Sequence, residues 1–193
     1  MKIEFLRNKN EEEVRALILG FSRKYRYDLH QFTNTTNKFG LISNQSAMNL
    51  SDLLKKWTAC RPSSVSENIL PLLKELEADF ITISELDLRN IRKASLNEKD
   101  AINQIWSKLI NLVCVPKKLT GVAPSKVILI VTNGRLGPAL DSHARAVLGL
   151  SEISTATQYL SILNAISEDI AAFEDAHPQI LIEKLVPKEW HLV

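Results

Sequence analysis

The fold of this chain is organised around residues 116–150, which read PKKLTGVAPSKVILIVTNGRLGPALDSHARAVLGL. Four of the six glycines and three of the seven prolines of the chain lie in this segment. Glycine permits left-handed and closely packed backbone, whereas proline fixes one backbone dihedral and interrupts helices. The segment therefore predicts several sharp turns and a close approach of the backbone to a neighbour. We expect any functional site to lie here.

The middle of this segment, residues 127–131 (VILIV), is an unbroken apolar run that suits either a buried helix or a buried strand. Pro124 before the run is typical of a first helical turn, and Asn133 with Gly134 is typical of a helix end. These flanks favour a helix from Pro124 to Asn133. A strand would instead make residues 133–137 (NGRLG) a candidate phosphate loop, although they match neither the dinucleotide-binding nor the Walker pattern.

A short helix from Ser142 to Leu148 is predicted after the second turn, and Gly149 closes it. Asp141 stands at the position of its N-cap, where the carboxylate would accept a hydrogen bond from the second or third amide of the helix. Lys126 is the other notable residue, because it lies in the first turn of a helix that is otherwise apolar. Such a lysine is either partly desolvated or extends to water.

Amphipathic helices are predicted on both sides of this segment from apolar side chains at helical spacing. The predicted helices are one capped by Asn10 with the stripe Val14, Leu17, Ile18, Phe21 and Tyr25; Ser51–Trp57; a stripe from Val65 to Leu76 containing Pro71; Ser84–Lys93; one capped by Asn97 with the stripe Ile102, Ile105, Trp106, Leu109 and Val113; one capped by Ser154 and ended by Pro178; and Gln179–Val186. Residues 28–49 are polar and aperiodic, which predicts a long loop. We therefore expect an all-α fold, an irregular bundle of seven to nine helices in one domain over residues 1–193, or two small lobes sharing a cleft.

Composition narrows the possible functions. The 193 residues are 45% hydrophobic and 24% charged, with a formal net charge of +2, which is typical of a folded protein without a general attraction to polyanions. Cys60 and Cys114 are too few for a disulfide framework or a zinc site, and the four histidines show no ligand spacing. We therefore predict no metal and no other cofactor. With neither a signal peptide nor a membrane span evident, we expect a cytoplasmic protein; its oligomeric state stays open.

Part of the central segment resembles the core signature of the helix-hairpin-helix DNA glycosylase superfamily. The resemblance is carried by Leu119–Ala123 with Lys126, and by Leu140–His143 with Val147. It covers about 30 residues. The chain departs from the family pattern in having Ala123 in place of the second hairpin glycine and a shorter interval between Lys126 and Asp141. A Ser, Lys, then Pro and Asp, Ser pattern of this shorter spacing also resembles uncharacterised bacterial helical proteins, from which no activity carries over.

The glycosylase resemblance implies a specific site. Lys126 would be the amine that attacks the sugar in members with lyase activity, and Asp141 would stabilise the cationic sugar or activate the nucleophile. The amides of the hairpin would hold a DNA phosphate. The residues implied to contact nucleic acid are Lys117, Lys118, Gly121, Arg135, Ser142 and His143.

Three functions are compatible with these observations. They are glycosylase chemistry at Lys126 and Asp141, nucleic-acid binding without catalysis, and a non-enzymatic structural or interaction role such as a component of a defence or toxin system. The first two require basic residues around an open cleft that Asp141 can reach. The third expects Asp141 to be bonded to backbone amides at a closed surface.

Overall fold

The computed structural model describes residues 2–19, 69–110, 121–132, 134–138 and 140–180. These residues form helices and contain no strand, which confirms the all-α prediction. The helices are α1 in residues 11–19, α2 Ile69–Glu75, α3 Glu77–Ile83, a 3₁₀ helix Ile91–Lys93, α4 Leu96–Ile110, α5 Val122–Val131, α6 Ser142–Val147 and α7 Ala156–Ala176. The predicted loop 28–49, the predicted helix Ser51–Trp57, both cysteines and the predicted last helix beyond residue 180 lie outside the described residues.

None of the helices in the described ranges combines the length and the apolar character that crossing a membrane requires.

The first helix, α1, starts at the predicted cap, Asn10, which forms a capping box with Glu13. The amide of Glu13 donates to Asn10 Oδ1 at 2.9 Å, and the amide of Asn10 donates to Glu13 Oε2 at 2.9 Å. Val14 is buried against Phe173 of α7, so α1 packs on the end of the long helix. Leu17, a residue of the predicted apolar stripe, is 44% exposed. In the described part of α1, the buried face of the helix therefore includes fewer apolar side chains than their helical spacing predicts.

Helix α4 carries the predicted apolar stripe as far as Leu109, and Val113 lies outside the described residues. The cap of the helix differs from the prediction. Ser95, not Asn97, stands before the helix, and its hydroxyl accepts from the amide of Glu98 at 3.2 Å while Glu98 accepts from the amide of Ser95 at 2.7 Å. A capping box requires a glutamate or glutamine three residues after the cap, which Ser95 has and Asn97 lacks. Trp106 is buried, as expected for a core residue.

Helix α7 shows the same kind of correction. Thr155, not Ser154, is its N-cap and forms a capping box with Gln158. Gln158 is three residues after Thr155 and four after Ser154, so the spacing selects the threonine. The helix ends at Ala176, just before Pro178, as the proline predicts.

The predicted helix from Ser84 to Lys93 does not form. Ser84 follows α3, and its hydroxyl donates to the carbonyl of Ile81 at 2.8 Å. The carboxylate of Asp87 accepts from the amide of Arg89 at 2.6 Å, which stabilises a turn. Only Ile91–Lys93 is helical, as one turn of 3₁₀ helix. Serine and aspartate bonded to nearby backbone in this way compete with helix formation.

The main hydrophobic core is formed by the buried faces of α2–α5 and α7, together with Ile3 of the amino-terminal segment. Trp106 of α4 and Tyr159 of α7 stack within it, with ring centroids 4.6 Å apart. The Tyr159 hydroxyl is buried without a hydrogen-bond partner among the described residues. Burial raises the pKa of this phenol well above its ordinary value. The stacked pair joins α4 to α7 directly beneath the start of α5.

The amino-terminal segment is attached to α7 by Asp169, which is only 2% exposed. Its carboxylate accepts from the amides of Phe5, Leu6 and Arg7 at 2.9, 2.6 and 3.2 Å. Arg7 Nε also donates to it at 3.1 Å. Three successive amides thus surround one carboxylate, which fixes residues 5–7 on the long helix.

Candidate functional site

The candidate site is built on α5, the helix that contains the apolar run. It extends from Val122 to Val131 and includes Pro124 in its first turn. Val127, Ile128 and Ile130 are buried. Helix is therefore the correct choice for residues 127–131. The phosphate-loop alternative required a strand here and is excluded.

Gly121, the residue before α5, is packed against α4. A Cβ atom at this position would lie 2.6 Å from Trp106 Cζ2 and 2.8 Å from the carbonyl oxygen of Ile153. The amide of Gly121 donates to that same carbonyl at 2.9 Å. The glycine therefore allows the start of α5 to approach Trp106, and its N–H already has a protein acceptor rather than pointing to a phosphate.

Two buried hydroxyl groups, that of Ser125 in α5 and that of Thr132 at its C-cap, hold the chain that follows the helix. Ser125 Oγ donates to the carbonyl of Val122 at 2.9 Å and accepts from the amide of Leu140 at 3.0 Å. Thr132 Oγ1 donates to the carbonyl of Ile128 at 2.8 Å and accepts from the amide of Leu136 at 3.1 Å. Residues seven apart lie on the same side of a helix, two turns from each other.

The connection between α5 and α6, residues 132–141, consequently runs back along α5 from its end to its first turn. Gly134 lies in the left-handed region, with φ of 79°, and its amide donates to Leu129 at 2.7 Å. A Cβ at Gly137 would lie 2.5 Å from Leu129 Cδ1, so the connection passes close to the helix. The Gly137–Pro138 peptide bond is cis. The chain then reaches Leu140, beside Ser125.

Asp141, the next residue, is the N-cap of α6 as predicted. Its carboxylate accepts from the amide of Ala144 at 2.9 Å. Ser142 and His143 are exposed on the first turn of α6. Arg145 Nε donates to the carbonyl of Asp141 at 3.4 Å. Gly149 ends the helix in the left-handed region, with φ of 66°, in agreement with its predicted role.

Lys126 is buried, with an exposure of 4%, and it has an interaction partner. It follows Ser125 directly, so the return of the chain to Ser125 brings Asp141 to the same end of α5. The lysine-bearing turn and the aspartate are thus neighbours. The amine, however, belongs to the interior rather than to an open surface.

Arg135 lies at the other end of α5, which is about 15 Å long. Its guanidinium donates to Glu85 Oε2 at 2.9 Å, to the carbonyl of Thr132 at 3.2 Å and to the carbonyl of Ser84. The same guanidinium holds the pKa of the Glu85 carboxyl below its ordinary value. Arg135 therefore attaches the connection to the turn after α3 and is not grouped with Lys126. Lys117 and Lys118 lie outside the described residues.

Sequence reasoning identified Asp141 as a cap but missed Ser125 and Thr132, which determine where Asp141 lies. A signal was present, because the two hydroxyl residues lie seven positions apart at the ends of an apolar run. Polar residues at that spacing in a buried helix indicate hydrogen bonds to a neighbouring segment.

The chain matches no protein-family model, no curated protein and no solved structure.

Proposed function

We propose that this protein binds nucleic acid through α5, α6 and the connection between them, and that it does so without lyase chemistry. The observation that carries the proposal is the hydrogen bond from Leu140 to Ser125. It sets Asp141 and the exposed Ser142 and His143 beside the first turn of the lysine-bearing helix. The glycosylase resemblance implies this neighbourhood of a lysine-bearing helix and an aspartate-capped one.

Binding is better supported than catalysis because of the state of the two implied catalytic groups. An attacking amine must reach a sugar carbon, whereas Lys126 is buried within the helical body. The Asp141 carboxylate is bonded to the amide of Ala144, which accounts for an aspartate at this position. Neither group is displayed as a nucleophile or general base would be. The side chains of Ser142 and His143 are exposed and can contact a ligand.

The binding proposal is tested by fluorescence anisotropy with labelled DNA, both duplex and single-stranded, over a series of salt concentrations. We expect an affinity that falls as salt rises, because phosphate contacts release counterions. His143→Glu should weaken binding about tenfold, which corresponds to about 1.4 kcal/mol. A glutamate in the first turn of a helix is electrostatically favourable, so this change should leave α6 folded.

Gln104→Glu is the matched control, because it also introduces one carboxylate at an exposed helical position. It should leave the affinity nearly unchanged. Equal weakening by both variants would contradict the assignment of the interface to α6. Absence of salt-dependent binding to either form of DNA would contradict the nucleic-acid function itself.

The absence of lyase chemistry is tested by borohydride trapping on a duplex that contains an abasic site. Borohydride reduces the imine that an attacking amine forms with the sugar, and so leaves a covalent adduct. We expect no adduct with the wild-type protein. An adduct that disappears in Lys126→Ala would overturn this part of the proposal and assign the lysine a catalytic role.

A protein-binding role is the second candidate, and exposed apolar side chains favour it. Ile81 of α3 is 69% exposed and Leu96 of α4 is 80% exposed. Single exposed apolar residues are common on monomers, so these two side chains alone carry little weight. The hydrogen bond from the Ala144 amide to Asp141 is also what this role expects. Self-association in light scattering that is abolished by Leu96→Ser or Ile81→Ser would favour this role.

A further inference from the structure

We infer that Ser125 is a positioning residue for the α5–α6 interface, an inference that rests on the proposed nucleic-acid function. Ser125 is fully buried and does not itself face a ligand. Its role is to fix the start of α6 relative to α5. The exposed residues of α6 can then contact a nucleic acid in the correct position.

The hydrogen bonds of Ser125 support this role. The hydroxyl proton is donated to the carbonyl of Val122, within the first turn of α5. The oxygen accepts the amide proton of Leu140, the residue immediately before Asp141. A single hydroxyl group thus connects the first turn of α5 to the residue that precedes the cap of α6. These two points of the chain are 15 positions apart.

The internal bonds of α6 do not replace this attachment. Asp141 accepts from Ala144, and the amide of Leu150 donates to the carbonyl of Arg145 at 2.8 Å. Both bonds lie within α6 or at its ends, so the helix retains its own caps when Ser125 is changed. Without the serine hydroxyl, however, the buried amide of Leu140 loses its acceptor. The segment must shift to find another, and α6 shifts with it.

Thr132 provides an internal comparison, because it makes the same pair of hydrogen bonds at the other end of α5. It is fully buried, donates to Ile128 and accepts from Leu136. Leu136 lies five residues before Asp141, whereas Leu140 is adjacent to it. Loss of the threonine hydroxyl should therefore disturb the beginning of the connection and leave the start of α6 in place.

The experiment compares Ser125→Ala with Thr132→Val, each of which removes one buried hydroxyl and one acceptor for a backbone amide. Both variants should show a similar decrease in the urea midpoint. Only Ser125→Ala should bind the labelled DNA duplex more weakly, by about tenfold. If Ser125→Ala does not fold, Ser125→Cys is used in the same comparison, since a thiol is a weaker acceptor.

Two kinds of failure are distinguishable. An equal loss of affinity in both variants, or unchanged affinity in the serine variant, overturns the positioning role while the binding function stands. A wild-type protein that does not bind DNA overturns the proposed function and this inference with it. A tenfold effect confined to the serine variant establishes Ser125 as a residue that acts through the position of α6.

Discussion

The buried carboxylate of Asp169 allows a quantitative test of how the amino-terminal segment is held. Asp169→Ala removes the acceptor of three successive backbone amides, those of Phe5, Leu6 and Arg7, and of the Arg7 side chain. The aspartate is 2% exposed, whereas the Arg7 side chain is 24% exposed. The amides therefore lose a buried partner, while the guanidinium can still reach water.

The size of the effect follows from these contacts. A donor left without its partner in a buried position costs about 1–3 kcal/mol. The three hydrogen bonds are only part-buried, so the amides can partly rehydrate and the total should be smaller than the sum. We expect Asp169→Ala to lower the free energy of unfolding by about 3–5 kcal/mol, because three backbone amides lose their acceptor at once. Out of a typical total of about 5–15 kcal/mol, this is a large loss.

Urea denaturation followed by circular dichroism measures this loss, and Arg7→Met is the control. The methionine variant deletes the side-chain contact with Asp169 and the partly exposed ion pair with Glu4 at 3.7 Å, but keeps the three backbone amides bonded, and should cost about 1 kcal/mol. Hydrogen exchange should accelerate at the amides of residues 5–7 in Asp169→Ala and remain slow in Arg7→Met. Equal destabilisation by the two variants, or unchanged exchange at these amides, would refute the view that the carboxylate acts through the backbone.

Further outcomes are expected at three other residues. Tyr159→Phe should be neutral or stabilising by about 1 kcal/mol in urea denaturation, because it removes a buried hydroxyl without a partner among the described residues. The raised pKa of the Tyr159 phenol means that the folded state retains the proton when the unfolded state, with its ordinary value of 10.0, releases it. Wild-type stability should therefore fall above pH 10 by up to about 1.4 kcal/mol per pH unit, and Tyr159→Phe should show a smaller slope. Gly121→Ala should destabilise by about 1–3 kcal/mol, because the new methyl group would overlap Trp106; a variant as stable as wild type would show that the two helices can separate without loss. Asp141→Ala should cost about 1 kcal/mol while Asp141→Ser retains most of the stability, and equal losses would indicate that the carboxylate does more than accept from Ala144.

The helix ends show which local signals in the sequence predict the structure and which mislead. The Asn10 cap, the Asp141 cap and the stop at Gly149 are where the sequence predicts them. The two misplaced caps, Asn97 and Ser154, are each corrected by one or two residues. In both cases the corrected residue satisfies the three-residue spacing of a capping box, a rule that the sequence itself contains.

In the candidate site, the sequence predicts the helix starts but not the tertiary surroundings of their side chains. The sequence predicts Lys126 and Asp141 at the starts of two helices, and the structure brings both to one end of α5. The sequence does not indicate that Lys126 is buried or that Arg135 is attached to Glu85 at the opposite end of α5. Burial of a lysine depends on which helices cover it. The pairing of an arginine depends on which turn lies nearby, and neither is a property of the local pattern.

The sequence alone is sufficient for the all-α class and for several helix ends, and it favours a helix through residues 127–131 without excluding a strand. These features depend on periodicity and on side chain to backbone bonds between residues three or four positions apart, so a short window of sequence contains all the information. The tertiary structure alone decided the attachment of Leu140 to Ser125, the contact of Gly121 with Trp106 and the capture of residues 5–7 by Asp169. The groups that form these contacts are 15 to 164 positions apart along the chain. They meet only because the packed helices bring them together.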